Sequence, residues 1–199
     1  METAASVDKR TTLMREAARL FRTLGYHATS MSDIAEVMQL NKGTLYYYFP
    51  SKADILYGVY LEAFTRLDEN IGAIPDGLPP DDLLVEYVRA ILRTIGSGPD
   101  FIAVYFQEHP WLEKSLGLEQ SKAVRAKEAE FTAQLRAVIN EGMRQGVFRR
   151  VNDQLLAVQL MSMISSLYRW HLSEDERSAS LVADTIISYL YEGVLARPR

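Results

Sequence analysis

Cysteine is absent from the 199 residues, which excludes a disulfide framework and any zinc site built on thiolates. The absence suits a reducing compartment, and a cytoplasmic location is expected. Histidine is scarce. His27, His109 and His171 stand far apart with no His-x-x-x-His pair, so no metal site is expected. The chain has no Gly-x-Ser-x-Gly elbow, no Walker loop and no Gly-x-Gly-x-x-Gly run. Glu108 and His109 are adjacent, and adjacent residues on a helix do not face each other. Neither catalysis nor a cofactor is therefore expected. No apolar run approaches the roughly 18 residues that span a bilayer, so no membrane partner is expected. The opening METAASVDKR lacks a signal-peptide core and reads as a mobile arm. Repeats, low-complexity tracts and strand-like alternation are missing as well, and helical periodicity runs throughout. The expected fold class is all-α.

One stretch is far more specific than the rest. Residues 29–56 read TSMSDIAEVMQLNKGTLYYYFPSKADIL. Ser30 and Asp33 form an S-x-x-D capping pattern for a short helix carrying Ile34, Ala35 and Met38. Asn41 is placed to cap a second helix, Lys42 to about Phe49, which Leu45 and Phe49 anchor to the core. Pro50 stops that helix, and Ser51 opens a third. Two short helices across a tight turn are the plan of a DNA-reading helix-turn-helix. The candidate DNA-contacting residues are Ser30, Ser32, Lys42, Gly43, Thr44, Tyr46, Tyr47, Tyr48 and Lys52. Hydroxyls and tyrosines bond phosphate oxygens, and Thr44 can touch a base edge or a thymine methyl. Gly43 allows close backbone approach, and Lys52 sits in a first helical turn, where an anion is favoured. A core helix with a solvated aromatic face is the bland alternative. Three consecutive tyrosines after Lys-Gly-Thr are hard to justify by packing alone.

This segment resembles the helix-turn-helix of the tetracycline-repressor (TetR) family of bacterial regulators. The resemblance rests on Ile34-Ala35, on Lys42-Gly43-Thr44-Leu45-Tyr46-Tyr47-Tyr48-Phe49 and on Ser51-Lys52, and it runs from about Arg10 to Leu56. Met38-Gln39 departs from the small residue and Gly common in the family's turn, and Ala53 stands where an acidic residue often follows. The resemblance implies a ligand-responsive DNA-binding regulator, most often a repressor. It would bind a palindromic double-stranded operator as a homodimer and release it on binding a small-molecule effector.

The charge distribution agrees. Residues 1–52 hold seven Lys/Arg and five Asp/Glu, for +2, and the remainder holds 15 and 21, for −6. A mildly basic head on an acidic body suits a protein that meets DNA at one end. The expected division is a DNA-binding domain over 1–52 and a helical effector-binding and dimerisation domain over 53–199. Helices are expected at about 9–24, 52–74, 81–95, 100–108, 119–145, 153–171 and 180–195, with breaks at Pro75–Pro80, Gly96–Pro99 and Gly146.

The last two helices are apolar around a wide arc, which suggests a second buried face. Leu160, Ile164, Leu167, Ile186, Tyr189 and Leu190 are the candidate dimer-interface residues. A helix sandwiched inside the body is the alternative. The family resemblance implies a four-helix interface made by these two helices. Aromatic and methionine residues of the body suggest a pocket between helices, with Tyr60, Phe64, Tyr105, Phe106, His109, Trp111, Phe131, Met161 and Trp170 as its candidate lining. Simple core packing is the competing account for each. The body is also similar to family members that sense acyl-CoA thioesters, through Val147-Phe148-Arg149 and Tyr168-Arg169-Trp170. A drug or aromatic metabolite remains open as effector, as do a helical enzyme and a protein-interaction module as function classes.

Overall fold

The computed structural model describes residues 4–166 and 176–194. Among them, ten α-helices and one 3-10 turn follow in order. These are α1 (Ala4–Leu24), α2 (Met31–Val37), α3 (Lys42–Tyr48), α4 (Lys52–Gly72), α5 (Pro80–Ser97), α6 (Pro99–Glu108), the 3-10 turn His109–Trp111, α7 (Leu112–Ser115), α8 (Leu118–Arg144), α9 (Asp153–Ser166) and α10 (Glu176–Val194). The all-α reading holds, and most boundaries fall within a few residues of those expected. One differs at the start. Ala4 to Asp8 continue α1 instead of forming a mobile arm, because no glycine or proline interrupts the helix toward the N-terminus.

The chain divides into two compact units. The first comprises Met1–Thr65 and Gly98–Arg125, and the second comprises Arg66–Ser97 and Ala126–Arg199. The boundary expected at residue 52 falls inside the first unit, and α4 and α8 each run through both.

In the first unit, Leu13, Ala17 and Phe21 of α1 are buried with Ile34, Leu45 and Phe49 of the short helices and Ile55, Leu56 and Val59 of α4. α1 also packs along α6, where Arg22 Nη1 donates to Asp100 Oδ1 at 2.9 Å.

In the second unit, α5 packs against α9 and α10. Its Leu84, Val88 and Leu92 are buried, as are Ala157, Leu160 and Ile164 of α9 and Ile186 and Leu190 of α10. α8 ends at Gly146 in the left-handed region, φ 75°. The chain then folds back, so that the N–H groups of Val147 and Phe148 both donate to Gly142 O at 3.0 Å. The Phe148 ring settles on the bare Cα of Gly142.

Candidate nucleic-acid interface

The two short helices are held by the caps that the sequence contains. Ser30 and Asp33 make a complete capping box. Asp33 N–H donates to Ser30 Oγ at 3.2 Å, and Ser30 N–H donates to Asp33 Oδ2 at 2.7 Å. These bonds from Ser30 to the carboxylate hold the Asp33 pKa below its ordinary value. At α3, Asn41 Oδ1 accepts both the Thr44 N–H at 2.8 Å and the Thr44 hydroxyl at 3.0 Å. Thr44 therefore spends its hydroxyl proton inside the cap and presents a methyl and acceptor lone pairs outward.

Between the helices the chain turns at Gln39, whose φ is 51°, the one non-glycine residue in the left-handed region among those described. Leu40 N–H then returns to Ala35 O at 2.9 Å. Here the family's usual Gly would be at ease, and glutamine carries a Cβ penalty. Gln39→Gly is expected to raise stability by about 0.5–1 kcal/mol. A thermal melt would read this as a rise of about 1–4 °C, and a lower melting point would contradict the strained turn.

Ile34, Ala35, Leu45 and Phe49 face inward. Of the nine candidate DNA residues, Ser30, Lys42, Gly43, Tyr46 and Tyr47 are exposed, and Ser32, Thr44 and Tyr48 are half-buried. Tyr47 is 80% exposed, and its ring meets that of Tyr48 edge to face at 5.2 Å. These eight residues lie on or beside α2 and α3.

Lys52 differs from these eight. Its Nζ donates to Tyr26 O at 2.7 Å and Thr29 O at 2.8 Å, with His27 O at 3.5 Å. It also lies 4.3 Å from the centre of the Tyr26 ring. The ammonium faces the α1–α2 loop, where burial lowers its pKa and the charges of Glu108 and Asp33 oppose that shift. With its protons given to carbonyls, it braces the loop.

A second brace reaches the same loop from α6. Buried Glu108 accepts the Ser115 hydroxyl at 3.2 Å and stands 3.4 Å from His27 Nε2. The Tyr26 hydroxyl donates to Ser115 O at 3.2 Å. Burial, with the charges of Glu108 and Asp54, pushes that phenol up to about 12. The sequence offered Glu108 only His109 as a neighbour. No local pattern signals a pairing with His27.

Five of the candidate pocket residues lie together in the first unit. Tyr60, Phe64, Phe106 and His109 gather around Tyr105, with ring centres 5.0, 5.8, 5.0 and 5.7 Å from it. The Tyr60 hydroxyl donates to Tyr105 O at 3.3 Å. Trp111 is 54% exposed, with Lys114 Nζ 5.7 Å from its ring centre. Phe131 and Met161 belong to the second unit, and Trp170 lies outside the described residues.

The dimer candidates need the larger correction. Leu160, Ile164, Ile186 and Leu190 are buried in the chain's own core because α9 and α10 turn that face to α5. Tyr189 is 65% exposed, and Leu167 lies outside the described residues. The open apolar side chains sit on the other faces, as Leu155, Val158 and Met163 of α9 and Leu181 of α10. A groove of about 420 Å³ runs beside them, lined in part by Arg149, Leu155, Gln159, Met163, Tyr189 and Gly193.

Among the described residues, no group of His, Asp or Glu is arranged to hold a metal ion, and no helix is long and apolar enough to cross a membrane. Residues 13–58 match the profile of "Bacterial regulatory proteins, tetR family". Residues 77–194, more than half of the chain, match "Tetracyclin repressor-like, C-terminal domain". The chain is 31% identical to the solved regulator PfmR from Thermus thermophilus, over 93% of this chain and 99% of that one, with a TM-score of 0.81. It is 26% identical over 202 residues to the transcriptional repressor KstR2 of Rhodococcus jostii strain RHA1, covering 99% and 96% of the two chains. AibR, solved with isovaleryl coenzyme A and operator DNA, shares the fold at a TM-score of 0.79 and 20% identity, over 90% and 96% of the chains.

Proposed function

Because this chain belongs to the TetR family of bacterial transcriptional regulators, we propose that it is a homodimeric repressor. It binds a palindromic operator and leaves it when an acyl-CoA thioester enters the helical body. The family's members are DNA-binding regulators, not enzymes. The observation that carries the reading is the capped helix pair with Lys42, Gly43, Tyr46 and Tyr47 open to solvent along α3. In this reading α3 enters the major groove and Ser30 and Ser32 hold phosphates beside it. Thr44 contributes its methyl and lone pairs to a base edge.

Two stripes support the dimer. On α9 the residues Leu155, Val158, Gln159, Ser162, Met163 and Ser166 are all exposed, and on α10 so are Leu181, Asp184, Thr185, Ser188, Tyr189 and Glu192. Both follow the spacing of one helix face, and small hydroxyl residues among the bulky ones allow close helix approach. A two-fold pair of such faces also matches a palindrome.

The acyl-CoA assignment draws support from AibR, a protein of this fold bound to isovaleryl coenzyme A. The aromatic cluster around Tyr105 offers an apolar wall for an acyl chain. Ligand and DNA then favour different settings of the two heads, so that each weakens the binding of the other.

The test uses the full chain and a duplex that it selects from a random-sequence pool. Binding that weakens steeply with salt and yields a palindromic consensus supports the DNA reading. A dimer in sedimentation at micromolar concentration supports the pairing, and a monomer refutes it. Isovaleryl-CoA or longer acyl-CoA thioesters, but not free CoA, should release the duplex. At 100 times the dissociation constant they should also stabilise the protein by about 2.7 kcal/mol, read as a higher melting point. Retention of the duplex at saturating thioester would remove the acyl-CoA assignment while leaving the DNA reading intact.

A further inference from the structure

Seven lysines and arginines lie within residues 1–52, and three of them are taken up by the protein itself. Arg19 pairs with Glu16 at 3.0 Å, and Arg22 pairs with Asp100 at 2.9 Å. Lys52 is committed to the carbonyls of the α1–α2 loop. For Lys9, Arg10, Arg15 and Lys42, no acceptor appears among the described residues. Lys9, Arg15 and Lys42 are exposed, so their side chains sweep freely and would lose that freedom on binding an anion.

Arg10 is different. It is half-buried, and its Cζ lies 4.6 Å from the centre of the Phe49 ring. Phe49 is wholly buried and caps the C-terminal end of α3, where its N–H donates to Leu45 O at 2.9 Å. Contact with the buried ring restrains the guanidinium, and its N–H groups find no acceptor among the described residues. A held, planar edge of donors suits a phosphate oxygen pair better than a swinging ammonium does.

We infer that Arg10 is a DNA phosphate contact, set at the C-terminal end of the recognition helix by its packing on Phe49. It supplies from α1 the anchoring charge that Lys52, turned inward, does not. This rests on the reading of the protein as a duplex-binding regulator.

Two variants separate this role from a purely structural one. Arg10→Met keeps packing on Phe49 and removes the charge, and Arg10→Lys keeps the charge and loses the planar edge. Affinity for the selected duplex is measured from about 50 to about 300 mM salt, where each lost phosphate contact lowers the slope of log affinity against log salt by about 0.9. Arg10→Met is expected to lower the slope by about one per head and to weaken binding about tenfold at the low-salt end. Arg10→Lys should keep the wild-type slope with a smaller loss. Both variants should melt within a few degrees of the wild type.

If Arg10→Met retains the wild-type slope, the inference is overturned whatever its affinity. Loss of packing, or of a contact with the helix end, weakens binding equally at all salt concentrations. A wild-type protein that selects no duplex, or binds with no salt dependence, overturns the regulator reading and this inference together. A wild type that binds steeply beside a variant with the same slope removes Arg10 alone.

Discussion

Lys52→Met is expected to lower the stability of the protein by about 2 kcal/mol and its melting point by about 4–8 °C. It should leave the salt dependence of DNA binding unchanged. The side chain keeps its length, so the loss is that of the ammonium. That group satisfies Tyr26 O and Thr29 O at 2.7 and 2.8 Å, and Thr29 is itself 1% exposed. Hydrogen bonds from a charged donor contribute about 1.5–3 kcal/mol, and the partial exposure of Lys52 argues for the lower half of that range. DNA affinity should fall to the extent that the α1–α2 loop loosens beneath the reading helices, by a similar factor at every salt concentration. The opposite pattern, full stability with a slope lower by about one unit, would restore Lys52 to the phosphate-binding role that its place after Ser51 suggested.

Gly142→Ala should cost more, about 3 kcal/mol or roughly 6–12 °C in melting point. A Cβ on residue 142 would stand 2.1 Å from Phe148 Cδ2 and 2.3 Å from Cε2, distances that no small adjustment can open. The ring, now 4% exposed, has to leave its seat, and expelling a buried phenylalanine forfeits about 3–5 kcal/mol. Part of that returns if the ring finds another surface. The double variant Gly142→Ala with Phe148→Ala is the informative control. With no ring to collide with, the alanine at 142 should add little to the cost of Phe148→Ala, so the two losses should fall well short of additivity. Additive losses would mean that Gly142 matters for some reason other than this ring.

Local chemistry was legible in the sequence. The Ser30–Asp33 box and the Asn41 cap are read directly from residue types at fixed spacing, because a cap is made within four residues of itself. Gln39 stood out as a departure from the family's glycine, and its φ of 51° shows what that departure costs. Which distant neighbour a side chain meets was not legible. Lys52 looks like an anion ligand from its place in a first helical turn, but the carbonyls that take it come from a loop more than twenty residues earlier. Glu108 is drawn to His27 and Ser115, not to the imidazole beside it in sequence. On α9, hydrophobicity is spread around the helix. Periodicity could not say that Leu160 and Ile164 would turn to α5 while Leu155 and Met163 stayed in the open.

The open stripes on α9 and α10 carry a consequence for gene control. In the proposed dimer two subunits read DNA together, so while free subunits predominate the reading species rises with the square of their number. Halving the amount of protein then cuts operator occupancy up to fourfold in that regime. The proposed pairing would thus sharpen the response to dilution as a cell grows, through a surface set apart from the reading helices in sequence.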